Sequence, residues 1–388
     1  MSDHHALILA TAAALTVLTA FSARAGALDA PQNYVFVPNR ASADIAVIDT
    51  RTDRLVTRIA VGNVPHQVAV SDVAGKLVAS NTADDTISIV DLGTLAKATV
   101  KLDHEPEHME LAPDGLLLAV GNIGAGTVSF VSLREDREIA RVDGLIQPHN
   151  LTFSPDGSLL YVANLGANHV SVVDVAAARI VDQIEVAEPV TVASAEAGAD
   201  EEFQGIINVT RTPDGRLGFA AHGEGNRLAV IDLRTRALLK NIELGELPWR
   251  AYSTADGRYM LVPNNGDQTL TVISTASLEA VVTLPGAADV TGVNTGWFET
   301  TAFAISRGED KVVVYDLVSM TKAGEIALPG TPETGITTPD GSKLYVALSS
   351  SDQVAVIDVR ARRLIGTIDD VGEEPWGASM IGTLNYCH

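Results

Sequence analysis

Three segments, Ser158-Leu-Leu-Tyr-Val-Ala-Asn164, Asn168-His-Val-Ser-Val-Val-Asp174 and Arg179-Ile-Val-Asp-Gln-Ile-Glu-Val186, decide the fold. Each is short, rich in β-branched residues and alternates in polarity, which is the signature of a strand. Ahead of them, Pro148-His-Asn-Leu-Thr-Phe-Ser-Pro-Asp-Gly157 reads as a fourth strand closed by a Pro-Asp-Gly turn. Proline presets the first central residue of such a turn, and glycine accepts positive φ. The four-strand unit recurs with a period of about 40 residues, which marks a repeat architecture.

The turn returns at Pro113-Asp114-Gly115, Pro213-Asp214-Gly215 and Pro339-Asp340-Gly341, with a variant at Ala255-Asp256-Gly257. The third strand of each unit often ends in aspartate, at Asp49, Asp91, Asp174, Asp232, Asp316 and Asp358. These aspartates read as turn formers rather than catalytic groups. Second strands start near Tyr34, Leu77, Leu117, Leu160, Leu217, Tyr259, Thr301 and Leu344, which gives eight units. The seventh, around Asn294-Thr-Gly-Trp-Phe-Glu299, is the least regular, and seven blades is the count if one unit has been split wrongly. The expected fold is all-β, a β-propeller of eight four-stranded blades. The first unit lacks an innermost strand, and Pro375-Trp-Gly-Ala-Ser-Met-Ile381 reads as that strand, supplied by the end of the chain. Pairing the two ends closes the ring and removes its open sheet edges.

Composition agrees with this reading. The chain has 388 residues, long for one hydrophobic core, where roughly 100–200 residues per domain is usual. Repeats escape that limit because each unit packs on its neighbours. The formal net charge of −22 repels phosphate backbones and argues against a nucleic-acid partner. Cys387 is the one cysteine, so no internal disulfide forms and core packing must hold the fold. Ala6 to Phe21 is apolar and is followed by Ala23-Arg24-Ala25, an export signal with its cleavage site, although His4 and His5 stand where Lys or Arg is usual. The expected division is a signal peptide over residues 1–25 and one propeller domain over residues 26–388. An uncleaved anchor is the alternative. The mature protein is then expected to be periplasmic or secreted, not membrane-spanning, and monomeric.

Tyr161-Val-Ala-Asn164, with Val-Ser-Val-Val-Asp and Ser-Pro-Asp-Gly around it, resembles the YVTN-type repeat of the YncE-like propeller proteins. The resemblance covers nearly all of the mature chain. It implies the fold and leaves function open, because such propellers host unrelated activities. Eight blades and the stretch Ala221-His222-Gly-Glu-Gly-Asn-Arg-Leu-Ala-Val-Ile-Asp232 also resemble the haem-binding propeller of the cytochrome-type nitrite reductases and their periplasmic relatives. That resemblance implies histidines around a tetrapyrrole on one propeller face. The chain has no C-x-x-C-H motif, so it holds no covalent c-type haem.

Loops that lead into the innermost strands share a face with those joining second and third strands. Aligned across the blades, one position before the inner strand reads His66, Glu107, His149, Ile207, Trp249, an unassigned seventh residue, Glu333 and Trp376. The next position reads Gln67, His108, Asn150, Asn208 and Arg250, then Thr334 and Gly377 in the last two blades. His222 lies on a loop of the same face. Two imidazoles with a carboxylate suit a first-row transition metal, and more imidazoles suit copper or zinc. An imidazole also serves as an axial haem ligand. The candidate metal ligands are therefore His66, Glu107, His108, His149 and His222, for copper, iron, zinc or a haem-type tetrapyrrole. Trp249, Arg250, Trp376 and Glu333 offer flat faces and charge for a ring-shaped or carboxylate-bearing ligand. Against this stands the plainer reading, a polar loop face that binds a metal-free ligand or a protein.

Three further features carry less. His104 and His108 form H-x-x-x-H on a proline-containing loop, where the spacing does not align imidazoles as a helix would. An insertion between Glu188 and Gly205, with Asp200, Glu201 and Glu202, breaks the period and reads as an acidic lid or a disordered loop. Cys387 and His388 end a tail expected on the opposite face. The leading expectation is a propeller that binds a small ligand or partner protein through its channel face. The alternatives are a redox or hydrolytic enzyme that uses a histidine-bound metal or haem, and a metal-free lactonase or lyase, the last by fold analogy alone.

Overall fold

Each repeat folds as an antiparallel meander whose strands lie in sheet order as they lie in sequence. The structure, a computed structural model, describes Leu28 and residues 30–186, 205–296 and 298–381. The proposed export signal, the body of the acidic insertion and the Cys387–His388 tail lie outside the described residues. Seven four-stranded sheets and one three-stranded sheet make eight blades. The second strands of the blades begin at Tyr34, Lys76, Leu117, Leu159, Leu217, Tyr259, Thr301 and Lys343, within a residue of the positions expected from the repeat.

The incomplete sheet is the first, formed by Tyr34–Asn39, Asp44–Asp49 and Arg54–Ala60. The end of the chain completes it. Ser379 and Phe36 exchange backbone hydrogen bonds at 2.9 Å each way, and Trp376 donates its amide to Pro38 O at 2.9 Å. Ser379 Oγ also donates to Val68 O at 2.7 Å, which ties the closing segment to the second blade.

The inner three strands of a blade are buried on both faces, as in Asp44–Asp49, whereas outer strands such as Arg137–Val142 alternate towards solvent. Blades therefore bury apolar surface against one another rather than around one centre. Eight apolar clusters occupy the eight joints between neighbouring blades. The cluster that joins the last blade to the first contains Val35, Ile336, Tyr345, Ala378 and Met380, so closure is part of the core.

The recurrent aspartates are turn formers. Asp156, Asp214 and Asp340 accept amide hydrogens two residues on, at 3.0, 3.0 and 3.1 Å. Asp91, Asp174 and Asp358 do the same three residues on, at 2.8, 2.9 and 2.8 Å. Among the described residues, no helix is long and apolar enough to cross a membrane.

Candidate functional site at the channel mouth

Inner strands start on a proline in blades 2, 3, 4 and 8, at Pro65–Ser71, Pro106–Leu111, Pro148–Phe153 and Pro332–Thr337. Directly after that proline the register with the second strand breaks, between Pro65 and Val68, Pro106 and Met109, and Pro148 and Leu151. A bulge puts consecutive side chains out of simple alternation and re-aims them. For this reason His66 and Gln67 are both buried, as are His149 and, at the neighbouring blade, His108 beside the half-buried Glu107. In the seventh blade the shift falls between Val290 and Gly292, so Thr291 fills the position that the sequence alignment left unassigned.

The next position has a structural task in blades 2, 4 and 5. Gln67 Oε1 accepts the amide of Met109 at 2.5 Å, and Asn150 Oδ1 accepts that of Val209 at 3.0 Å. Asn208 Oδ1 accepts that of Ala251 at 3.3 Å. Each of these staples one inner strand to the next. His108 and Arg250 hold the same position in blades 3 and 6 and meet each other instead. Arg250 Nη2 donates to His108 Nε2 at 3.0 Å and to His149 Nε2 at 3.3 Å, from a guanidinium only 1% exposed. Arginine is always a donor, so both Nε2 atoms accept and both rings carry their proton on Nδ1. His149 Nδ1–H donates in turn to Ile207 O at 2.8 Å.

On the other side of His108 lies Glu107. His66 Nε2 is 3.4 Å from Glu107 Oε1, and His108 Nδ1 is 3.8 Å from Glu107 Oε2. These three residues bring donor atoms within 4.8 Å of one another. The rings continue as an arc. Trp376 and His66 have centroids 6.2 Å apart, His66 and His108 5.3 Å, His108 and His149 4.3 Å, and His149 and Trp249 6.5 Å. The Arg40 guanidinium stacks on Trp376 with its carbon 4.2 Å from the ring centroid.

The arc borders a cavity of about 590 Å³ whose wall includes Arg40, His66, Glu107, His149, Trp249, Arg307 and Trp376. Glu333 does not border it. Its carboxylate is buried, accepts from Ser349 Oγ at 2.5 Å and lies 3.7 Å from Arg307 Nη1. It thus positions an arginine of the wall, with Asp289 holding the same guanidinium at 2.7 Å. Arg250 lies beneath the imidazoles and is not part of the wall.

Arg40 and Arg307 are site residues that the sequence reading did not single out. Both directly follow the end of a second strand, as do Thr82, Ile123 and Leu165, which also line the cavity. The residue before each is Asn39, Asn81, Asn122, Asn164 or Ser306, so this second circle was readable from the repeat.

His222 is placed differently from the other imidazoles. It ends its second strand where blades 1, 2, 3, 4 and 6 have Asn39, Asn81, Asn122, Asn164 and Asn264. Those asparagines clamp the following turn, as Asn122 Nδ2 does on Thr127 Oγ1 at 3.0 Å and Ser129 Oγ at 2.9 Å. His222 clamps its own turn by accepting the Gly225 amide on Nδ1 at 2.8 Å, and Nε2 faces Asn168 Oδ1 at 2.6 Å. It is not part of the His66, Glu107 and His108 group. Burial, helped by the nearby Arg227 charge, pushes its pKa down to about 4, so the ring stays neutral. His104 is exposed and faces Asp85 Oδ1 at 3.0 Å, also outside the group.

The model of the YncE-like β-propellers matches residues 68–385. The chain belongs to the YncE-like β-propeller family. Among solved structures, this family member is similar to the dihydro-haem d1 dehydrogenase NirN in complex with DHE, at a TM-score of 0.73 and 15% identity. That match covers 91% of this chain and 76% of the other. It is also similar to the hydrazine synthase of Kuenenia stuttgartiensis, at a TM-score of 0.58 and 22% identity over 76% of this chain and 95% of that one. A functionally unknown protein of Desulfotomaculum acetoxidans DSM 771 matches at 0.57 and 12% identity over 78% and 98%. No curated protein matches the sequence. At these identities the structural likenesses establish the fold.

Proposed function

We propose that this YncE-like propeller is exported and that its channel mouth binds a flat, carboxylate-bearing conjugated ring, a ligand of the tetrapyrrole class. The observation that carries the reading is one cavity bordered at once by two indoles, two imidazoles and two guanidinium groups. Its volume of about 590 Å³ falls within the roughly 300–1,000 Å³ of small-molecule sites. Trp249 and Trp376, at the two ends of the arc, offer faces for stacking, and Arg40 and Arg307 offer planar forks for carboxylates. His66 borders the same space and suits a metal carried at the centre of such a ring, whereas both nitrogens of His149 are engaged, by Arg250 and by the Ile207 carbonyl. The fold-level likeness to a propeller solved with DHE supports the class of ligand. The export segment at Ala6 to Phe21 supports action outside the cytoplasm.

The test is an absorbance and tryptophan-fluorescence titration with iron protoporphyrin IX and with its metal-free, carboxylated parent. The wild-type protein should give one saturable site for at least one of the two. Arg40→Ala combined with Trp376→Phe should weaken that site at least tenfold, because a charge-assisted contact and a stacking face are reduced together. Linear, unsaturated uptake of both rings by the wild-type protein would refute the proposal.

A further inference from the structure

The wall of the cavity contains a second, smaller arrangement that a stacked ring does not require. His66, Glu107 and His108 come from two adjacent blades, and two bulges turn them towards one point. Side-chain exposure is 7% for His66, 20% for Glu107 and 3% for His108. Their donor atoms already approach the spacing that a metal demands. Bonds of roughly 2.0–2.2 Å in tetrahedral geometry put ligand atoms about 3.3–3.6 Å apart. Glu107 meets His66 through Oε1 at 3.4 Å and His108 through Oε2 at 3.8 Å, and with one donor atom from each residue the three lie within 4.8 Å of one another, so closing around an ion needs a shift of up to about an ångström.

We propose that His66, Glu107 and His108 form a site for a single first-row divalent cation, with Arg250 as a built-in antagonist of its loading. Two imidazoles and one carboxylate with further positions open suit zinc or ferrous iron and suit cobalt as a probe. His66 and Glu107 both border the cavity, so the open positions face it. The role of Arg250 follows from its donors. It bonds to His108 Nε2 and thereby fixes the His108 proton on Nδ1, the nitrogen that faces Glu107. An ion taken at Nδ1 requires that proton to leave, and the Nε2–H of the other tautomer then meets an N–H of Arg250. Donor faces donor, and a guanidinium charge stands behind the ring. A metal-ligating histidine normally points its second nitrogen at a carboxylate or carbonyl. Arg250 is the opposite of such a partner. It therefore lowers the affinity of the site and must turn away as the ion is bound.

The experiment uses chelator-stripped full-length protein titrated with cobalt(II) alone, followed by its visible absorption, and with zinc(II) alone by calorimetry. One ion per chain is expected. Glu107→Gln and His66→Ala should each weaken binding at least hundredfold. Arg250→Gln should tighten it about tenfold, since an amide oxygen accepts the Nε2–H that the guanidinium opposes. His222→Gln should leave it unchanged. Circular dichroism confirms that each variant is folded, and Glu107→Gln, the gentler change, decides the matter if His66→Ala is not. The absence of saturable one-to-one uptake overturns the site. So does uptake that Glu107→Gln leaves intact, which would locate the ion elsewhere. Weaker binding in Arg250→Gln would overturn the antagonist role. No ring ligand is present in these titrations, so failure here and failure of the tetrapyrrole reading are separate results.

Discussion

His222 gives a prediction that can be worked through in numbers. Its Nδ1 accepts from the Gly225 amide and its Nε2 faces Asn168 Oδ1, with no exposed surface on the residue. Protonation would put a second N–H against that of Gly225 and a charge in a buried joint. Burial first, and Arg227 second, bring the pKa from the ordinary 6.5 to about 4. The unfolded chain keeps the ordinary value, so the folded state binds this proton less readily at every pH between the two. The stabilisation is complete above about 6.5 and is lost as pH falls towards about 4. At about 1.4 kcal/mol per pH unit the loss reaches about 2 kcal/mol at pH 5 and levels off near 3 kcal/mol. The assay is chemical unfolding followed by far-ultraviolet circular dichroism, from pH 8 to pH 4, on the wild-type protein and His222→Gln. Glutamine keeps an acceptor and a donor but does not titrate. The wild-type advantage at pH 8 should shrink by about 3 kcal/mol by pH 4. Carboxylates held near pKa 2, such as Asp156 through Ser154 and Asp316 through the Ser319 amide, are common to both proteins and cancel. A stability difference that stays constant across this range would refute the reasoning.

Glu110, on the inner strand of blade 3, is half-buried, and burial pushes its carboxyl up to about 7 against the pull of Arg211. The neutral acid is the favoured folded form, so its stabilisation is complete below about 4.5 and is lost as pH rises through about 7. Glu110→Gln should melt higher than the wild-type protein above pH 7 and equal it near pH 4.5; equal melting at both values would count against this placement. Ser379→Pro removes the amide that bonds Phe36 O and the hydroxyl that bonds Val68 O. It should lower the melting midpoint by roughly 5 °C or more, as expected for two lost buried bonds at the ring closure. An unchanged midpoint would mean that the closing segment contributes little.

The parts of this protein that were legible in its sequence are those set by neighbours in the chain. Pro-Asp-Gly turns, alternating strands and the aspartates that bind amides two or three residues on are local chemistry, so the blade count and the second-strand positions could be read directly. The closing role of Pro375–Ile381 was also legible, because the first unit visibly lacked a strand. Side-chain direction at the channel mouth was not. Periodic alternation places Glu107 and His108 on opposite faces, and only the break in register after Pro106 brings both to the site. His222 attracted attention as an imidazole near others, although its position in the repeat is that of a turn-clamping asparagine. Its alignment with Asn122 and Asn264 carries that signal in the sequence itself. The contact between Arg250 and His108 joins blades 6 and 3, and its distance depends on the curvature of the whole ring, which no local pattern encodes.

The distribution of charge connects the two proposals about the mouth. A net charge of −22 raises the local concentration of divalent cations and repels acidic ligands at long range. Within the mouth the charges are mixed, because Arg40 and Arg307 border the cavity beside Glu105 and Glu107, and Arg250 lies beneath the imidazoles. Glu333 and Asp289 spend part of the Arg307 charge, and Glu374 lies 4.0 Å from Arg40 Nε. Neither guanidinium is therefore a bare cation, and an arriving carboxylate must exchange with acids already present. Such an exchange favours a ligand that also gains stacking on Trp249 or Trp376 over a simple anion. On the proposed reading, selectivity for a flat acidic ring is a sum of two weak preferences. Raising the salt concentration should reduce the arginine contribution, leave the stacking contribution in place, and so shrink the effect of Arg40→Ala while preserving that of Trp376→Phe.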